Sequence, residues 1–228
     1  MNWEILFVCD GCTDGTPEKL EQMNAASDGS IRVVSYPENR GKGHAVRVGM
    51  HAAQGQWRIF TDVDLAYTFR SVERIARALR SGADVAIASR DHPESEWILP
   101  SHLIRYISQR QRQSRIFGWL ARRLLPLTHH DTQAGLKGLS QRAVEKIMPR
   151  MRCAGFGFDC ELLTACVRLG IPVVEVPIRV RYRDAASTTS KLAIFRMVRE
   201  LFRIRRDWRD VLPEPLGQVD SEPQRQAA

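Results

Sequence analysis

Trp57-Arg58-Ile59-Phe60-Thr61-Asp62-Val63-Asp64 is a short apolar run that ends in two carboxylates one residue apart. The run reads as a β-strand, with Asp62-Val63-Asp64 at its C-terminal end. Two acids so placed can share a hard divalent cation. Mg²⁺ or Mn²⁺ takes oxygen ligands and keeps positions open for substrate phosphates. Turns also carry such pairs, so the meaning of this one depends on its surroundings.

Working outward, the N-terminal side repeats one theme. Ile5-Leu6-Phe7-Val8-Cys9, followed by Asp10 to Pro17, reads as a buried strand and a turn. Thr16 as N-cap and Pro17 as first residue predict a helix to about Ala26. A strand is expected over Ile31–Val34 and a helix over Lys42–Ala53, entered through a glycine turn. Beyond Asp64, Ser71 caps an expected helix Val72–Arg80, and Ala83–Ala88 is a strand ending at Ser89-Arg90. Strands alternating with helices imply an α/β fold with a mostly parallel sheet flanked by helices. Such sheets bind ligands at the carboxyl ends of their strands, so Asp10, Asp62 and Arg90 are expected to share one crevice.

The C-terminal half is less regular. Residues 101–127 read as a basic amphipathic helical stretch. A short strand follows at Gly135–Leu139, then a helix from Arg142, and a buried helix from Phe158 to Leu169 ended by Gly170. Val173–Tyr182 reads as one strand, and Pro177 places it at an edge. A last helix is expected over Ala193–Leu212. After Pro213 the sequence is polar and proline-rich, which predicts a disordered tail. The chain thus divides into one domain, residues 1–212, and a tail, 213–228.

The 228 residues, 43% hydrophobic and 26% charged, suffice for one well-buried core. Neither a signal-peptide pattern nor a membrane-length apolar run is present, so a cytoplasmic address is expected. The net charge of +8 is unevenly spread. Between Trp97 and His130 there are six arginines and no acid, and six more lie between Ala193 and Leu212. Such helices suit phosphates or anionic lipid, which would make the protein peripheral on the cytosolic membrane face. No nucleic-acid recognition motif accompanies the charge, so nucleic acid is not an expected partner. Cys9-x-x-Cys12 has no second pair to complete a zinc site.

Seven stretches, in order, carry a family resemblance. Val8-Cys9-Asp10-Gly11-Cys12-Thr13-Asp14-Gly15-Thr16 resembles V-D-D-G-S-T-D-G-T. Asn39-Arg40-Gly41-Lys42-Gly43-His44-Ala45-Val46-Arg47 is similar to N-x-G-K-G-x-A-V-R, and Asp62-Val63-Asp64-Leu65 to D-A-D-L. Ala88-Ser89-Arg90 resembles G-S-R, and Asp131-Thr132-Gln133-Ala134-Gly135-Leu136-Lys137 resembles D-T-Q-C-G-F-K. Phe158-Asp159-Cys160-Glu161-Leu162 is similar to F-D-x-E-L, and Ser190-Lys191 to the end of G-S-K. Together they resemble glycosyltransferase family 2, in its dolichyl-phosphate glucose/mannose synthase-like branch, with a Rossmann-like GT-A fold.

The resemblance implies a role for each matched residue. Asp62 and Asp64 would hold Mg²⁺ or Mn²⁺, and Asp10, Lys42, Asp62 and Arg90 would bind the nucleotide-sugar. Arg115, Ser190 and Lys191 would face the acceptor phosphate. Asp159 and Glu161 are the candidate catalytic acids, one of them a general base in many relatives. A phosphate acceptor is already an anionic nucleophile and would leave Asp159 a positioning role. Cys9 stands where the family has an acid and Cys12 where it has serine, so the base pocket does not fix UDP or GDP.

The family's chain opens with an apolar strand, a P-A-Y-N-E-like turn and a helix. This sequence begins on what corresponds to the second strand. The resemblance therefore implies an N-terminally truncated domain whose first, central strand is missing, between the second and third strands present here. Three readings stay open: an inverting hexosyltransferase acting on a polyprenyl or dolichyl phosphate, one acting on a soluble acceptor, and a non-catalytic remnant.

Overall fold

The computed structural model describes residues 2–27, 29–63, 67–98, 100, 102, 104–129, 131–181 and 191–211. The first half alternates as expected: β1 Ile5–Asp10, α1 Thr16–Ala25, β2 Ile31–Tyr36, α2 Lys42–Ala52, β3 Trp57–Thr61, α3 Phe69–Arg80 and β4 Val85–Ser89. There follow β5 Glu96–Ile98, α4 Ile104–Leu124, β6 Leu136–Ser140, α5 Gln141–Ile147, α6 Phe158–Arg168, β7 Val173–Pro177, β8 Arg179–Arg181 and α7 Lys191–Asp207.

The sheet is mixed rather than mostly parallel at its centre. Its order is β3-β6-β4-β7, with β6 antiparallel to both β3 and β4 and with β7 parallel to β4. Because β6 runs backwards, its beginning meets the carboxyl ends of β3 and β4. The loop that precedes it is thereby delivered to the ligand edge. β1 and β2 form a separate parallel pair, and among the described residues no ladder joins them to β3.

Side-chain alternation divides the core. On one face Ala86, Ala88, Leu136 and Val176 pack against Ile75 and Leu79 of α3. On the other, Val85, Ile87 and Leu139 join Phe158, Leu162 and Leu163 of α6, Phe117 and Ala121 of α4, and Leu201, Ile204 and Trp208. Each fully buried aliphatic side chain of this kind contributes about 1.5–3 kcal/mol.

Three local expectations are corrected. Gly15, in the left-handed region at φ 73°, caps α1 in place of Thr16, whose amide donates to Asp14 Oδ1. Thr68 caps α3 in place of Ser71, whose hydroxyl instead accepts from the Arg179 amide. The strand foreseen over Val173–Tyr182 is split after Pro177: β7 joins the central sheet, whereas β8 pairs with β5. The foreseen tail lies outside the described residues.

Candidate active site

Asp62 follows the last residue of β3, and its amide extends the ladder by donating to Gly135 O at 2.9 Å. Its carboxylate Oδ2 lies against the α-carbon of Gly135, in space that any side chain there would fill. Tyr67 supports the same glycine, its hydroxyl oxygen accepting from the Gly135 amide at 2.8 Å. The other oxygen, Oδ1, is 3.0 Å from Lys42 Nζ at the start of α2.

Lys42 reaches the site because α2 is pressed against the loop before α6. The Gly43 and His44 amides donate to Ala154 O at 2.7 and 3.3 Å. A side chain at Gly41 or Gly43 would collide with the Ala154 or Cys153 carbonyl. The glycines thus serve helix-to-loop contact, and the Gly43 and His44 amides are spent on Ala154.

Lys42 Nζ also lies 3.0 Å from Asp159 Oδ2, and Asp159 Oδ1 lies 2.6 Å from Lys137 Nζ. Lys137 is fully buried, and its ammonium also donates to Ala134 O. A continuous chain of charge results: Asp62, Lys42, Asp159, Lys137. Burial works against ionisation of Asp159, but Lys137 and Lys42 outweigh it and hold the carboxyl below the ordinary carboxylate range. Burial likewise works against the charge of Lys42, and Asp159 and then Asp62 outweigh it, so its pKa lies above that of an ordinary lysine.

Asp131 begins the loop that leads into β6. Arg90 grips it with two side-chain bonds of 2.7 Å, and the Arg90 amide adds a third at 2.9 Å. The Gln133 and Ala134 amides complete the cage. Against the opposing effect of burial, Arg90 holds the Asp131 carboxyl below its ordinary range. Ser114 of α4 touches this loop through Gln133 at 3.4 Å, and the next residue, Arg115, is exposed.

The residues expected to act together therefore separate into groups. Asp62, Lys42 and Asp159 meet. Arg90 spends its planar fork on Asp131, so it orders the loop instead of presenting an empty guanidinium. Asp10 accepts from the Arg40 and Gly41 amides at 2.7 and 2.8 Å and so holds the turn into α2. Glu161, expected among the catalytic acids, is buried with both oxygens occupied. It accepts from the Arg152 and Cys153 amides and from Trp208 Nε1, pinning the loop and the end of α7 to α6. Asp64 and Ser190 lie outside the described residues, as does the side chain of Lys191, the first residue of α7. Lys137 was not foreseen as a site residue. Its signal was its place as the last residue of the matched Asp131–Lys137 stretch.

The donor chemistry suits a divalent cation. Asp62 offers hard oxygen, is more than a third exposed, and already faces a cation in Lys42. Among the described residues no three His, Cys, Asp or Glu side chains cluster, so Asp62 would need Asp64 and substrate oxygens to complete coordination.

The α/β fold is that of GT-A enzymes. Glucosyl-3-phosphoglycerate synthase from Mycobacterium tuberculosis superposes with a TM-score of 0.58 at 18% identity, covering 92% of this chain and 69% of that one. Its complex with Mn²⁺, UDP-glucose and glycerol 3-phosphate gives 0.59 at 18% identity, with the same coverage. The sequence profile of glycosyl transferase family 2 matches residues 1–148, and the chain belongs to that family. Among its relatives, the dolichyl-phosphate β-glucosyltransferase of Saccharomyces cerevisiae is 30% identical over 220 residues, spanning 89% of this chain and 64% of the yeast protein. The Drosophila melanogaster enzyme of the same name is 30% identical over 209 residues, spanning 89% of this chain and 63% of its own. Glycosyltransferase AglD of Haloferax volcanii is 31% identical over 177 residues, 77% of this chain and 27% of that protein. The chain thus spans less than two thirds of the length of these curated relatives.

Proposed function

We propose that this chain carries the catalytic domain of an inverting hexosyltransferase. It would move a hexose from a UDP- or GDP-linked donor to a polyprenyl or dolichyl phosphate at the cytosolic membrane face. The observation that carries this reading is the Asp62–Lys42–Asp159–Lys137 chain at the ligand edge of a family 2 fold. The names of the yeast and Drosophila relatives support the lipid-phosphate acceptor, and the UDP-glucose complexes of the structural neighbour support the donor.

The mechanism follows from charge. A divalent cation, when held by Asp62 and Asp64, supplies charge neutralisation for the departing diphosphate. Gly135 and Tyr67 keep Asp62 aimed at the cleft. Lys42 adds a second positive charge beside the donor. Asp159, already ionised and gripped by two lysines, orients Lys42 and Lys137 instead of taking a proton. An acceptor phosphate needs no base, which fits an acid tuned this way. Arg115, Ser190 and Lys191 are the residues we assign to that phosphate, and Arg90 would act on it through the Asp131 loop.

The membrane part of the reading rests on α4 and α7. Ile116 and Trp119 are each 62% exposed on α4, and Phe202 is 55% exposed on α7. Exposed arginines 112, 115, 123, 199, 203, 205 and 206 surround them in sequence. Apolar side chains set among arginines match an anionic lipid interface. Among the described residues no helix is long and apolar enough to cross a membrane.

The test is transfer of labelled hexose from UDP-glucose or GDP-mannose, with Mn²⁺, to dolichyl phosphate in vesicles. A soluble phosphate such as 3-phosphoglycerate is assayed in parallel. Transfer to the lipid alone supports the reading, whereas transfer to the soluble acceptor alone overturns its lipid part. Binding of neither donor would establish a remnant.

A further inference from the structure

We propose that Lys42 is a tethered counter-ion of the metal position: it neutralises Asp62 until a divalent cation arrives, then yields that oxygen while remaining on Asp159. The inference rests on the metal reading of Asp62 given above.

Three observations carry it. First, the two oxygens of Asp62 are unequal. Oδ2 is the more closely packed against Gly135, whereas Oδ1 is the one that Lys42 holds at 3.0 Å. Second, a hard divalent cation such as Mg²⁺ sits about 2.0–2.1 Å from a carboxylate oxygen. An ammonium 3.0 Å from the same oxygen would then crowd the cation and repel it. The ammonium and the cation therefore compete for Oδ1. Third, Lys42 has somewhere to stay. Asp159 Oδ2 lies 3.0 Å from its Nζ, and Asp159 is itself anchored by buried Lys137. Leaving Asp62 therefore strands no buried charge. The displaced ammonium keeps its partner and becomes a charge that the donor's phosphates can use.

The arrangement has a physical purpose. A carboxylate at a strand end, with Gly135 behind it and Asp159 beyond Lys42, would be left unbalanced whenever metal is absent. Lys42 balances that charge. It also sets a threshold, because the cation must outcompete an ammonium already in place.

The experiment measures Mn²⁺ binding alone, without nucleotide, by the electron paramagnetic resonance signal of the free ion. Wild type, K42Q, K42R and D62N are compared, with circular dichroism confirming the fold of each. K42Q is expected to bind Mn²⁺ about tenfold more tightly than wild type, the scale on which a neighbouring charge shifts an ionic equilibrium. K42R, which keeps the charge, should stay near wild type, and D62N should lose the site. Unchanged or weaker binding by K42Q, with binding still dependent on Asp62, overturns the inference alone. Absence of Asp62-dependent binding in every variant overturns the metal reading and the inference together. A crystal structure of the wild-type protein with Mn²⁺ gives an answer that depends on no variant. Lys42 Nζ should have left Asp62 while staying on Asp159, and a metal on Asp62 beside an unmoved Lys42 would refute the proposal.

Discussion

Lys137 Nζ, shielded from solvent, lies 2.6 Å from Asp159 Oδ1, and this contact limits what Asp159 can do. A buried ammonium with a single carboxylate partner needs that partner ionised. Removing one member of such a pair leaves an uncompensated buried charge, which costs about 3–5 kcal/mol. D159N is therefore expected to lose stability on that scale in urea unfolding. The double variant D159N/K137M should recover much of the loss, because it strands no charge.

The same contact makes a kinetic prediction. Asp159 is held ionised below the ordinary carboxylate range, so it does not gain or lose its proton near neutrality. If transfer proceeds to a phosphate acceptor, kcat should show no limb from a carboxylate base between about pH 5 and pH 8. A limb there that disappears in D159N would reinstate Asp159 as a base.

Gly135→Ala separates folding from site geometry. The added carbon would occupy the space of the Asp62 carboxylate, the mobile end of a side chain that can swing aside. Thermal stability should fall by less than about 2 kcal/mol. Metal-dependent donor binding should weaken by tenfold or more, about 1.4 kcal/mol. Calorimetric titration of UDP-glucose with Mn²⁺ measures this directly.

The Arg90–Asp131 pair predicts an acid limb in stability. The folded pKa of Asp131 is depressed below its unfolded value of about 4. Its stabilisation is complete above the unfolded value and is lost as pH falls through the folded one. Melting temperature measured from pH 6 downward should therefore drop below about pH 4 in wild type. The drop should be shallower in D131N, which starts lower.

Glu161 distinguishes a clamp from a catalyst. Its oxygens accept from two backbone amides and the Trp208 indole. E161Q turns an acceptor into a donor against these groups, and a loss of about 3 kcal/mol is expected. Per folded molecule, kcat should stay within about threefold, whereas loss of a general base would cost about a hundredfold or more. Unfolding curves and active-fraction kinetics decide between them.

Much of the fold was legible because its early units obey period and punctuation. Ile5–Asp10, Lys42–Ala52 and Trp57–Thr61 form nearly where apolar runs and glycine turns placed them. The antiparallel course of β6 was not legible, because strand direction depends on tertiary pairing, not on local pattern. The break at Pro177 was visible only as an edge signal, since the second partner, β5, is three residues long. In the site, residue types were readable but their partners were not. Asp62, Lys42 and Asp159 converge as chemistry suggested. Arg90, Asp10 and Glu161 looked equally available in one dimension, yet each is committed to a neighbour that only the fold supplies.

Among the described residues, β1 and β2, the first of which carries Asp10, share no ladder with β3, which leads to Asp62. α2 links the two parts through Lys42 on Asp62 and Asp159, the Gly43 amide on Ala154 and Arg47 on the Met151 carbonyl, beside the Gln54 and Gly55 amides on Glu4. One helix thus supports both parts of the cleft. A change that loosened α2 would therefore disturb Asp10 and Asp62 together, although they stand on strands that do not pair with each other.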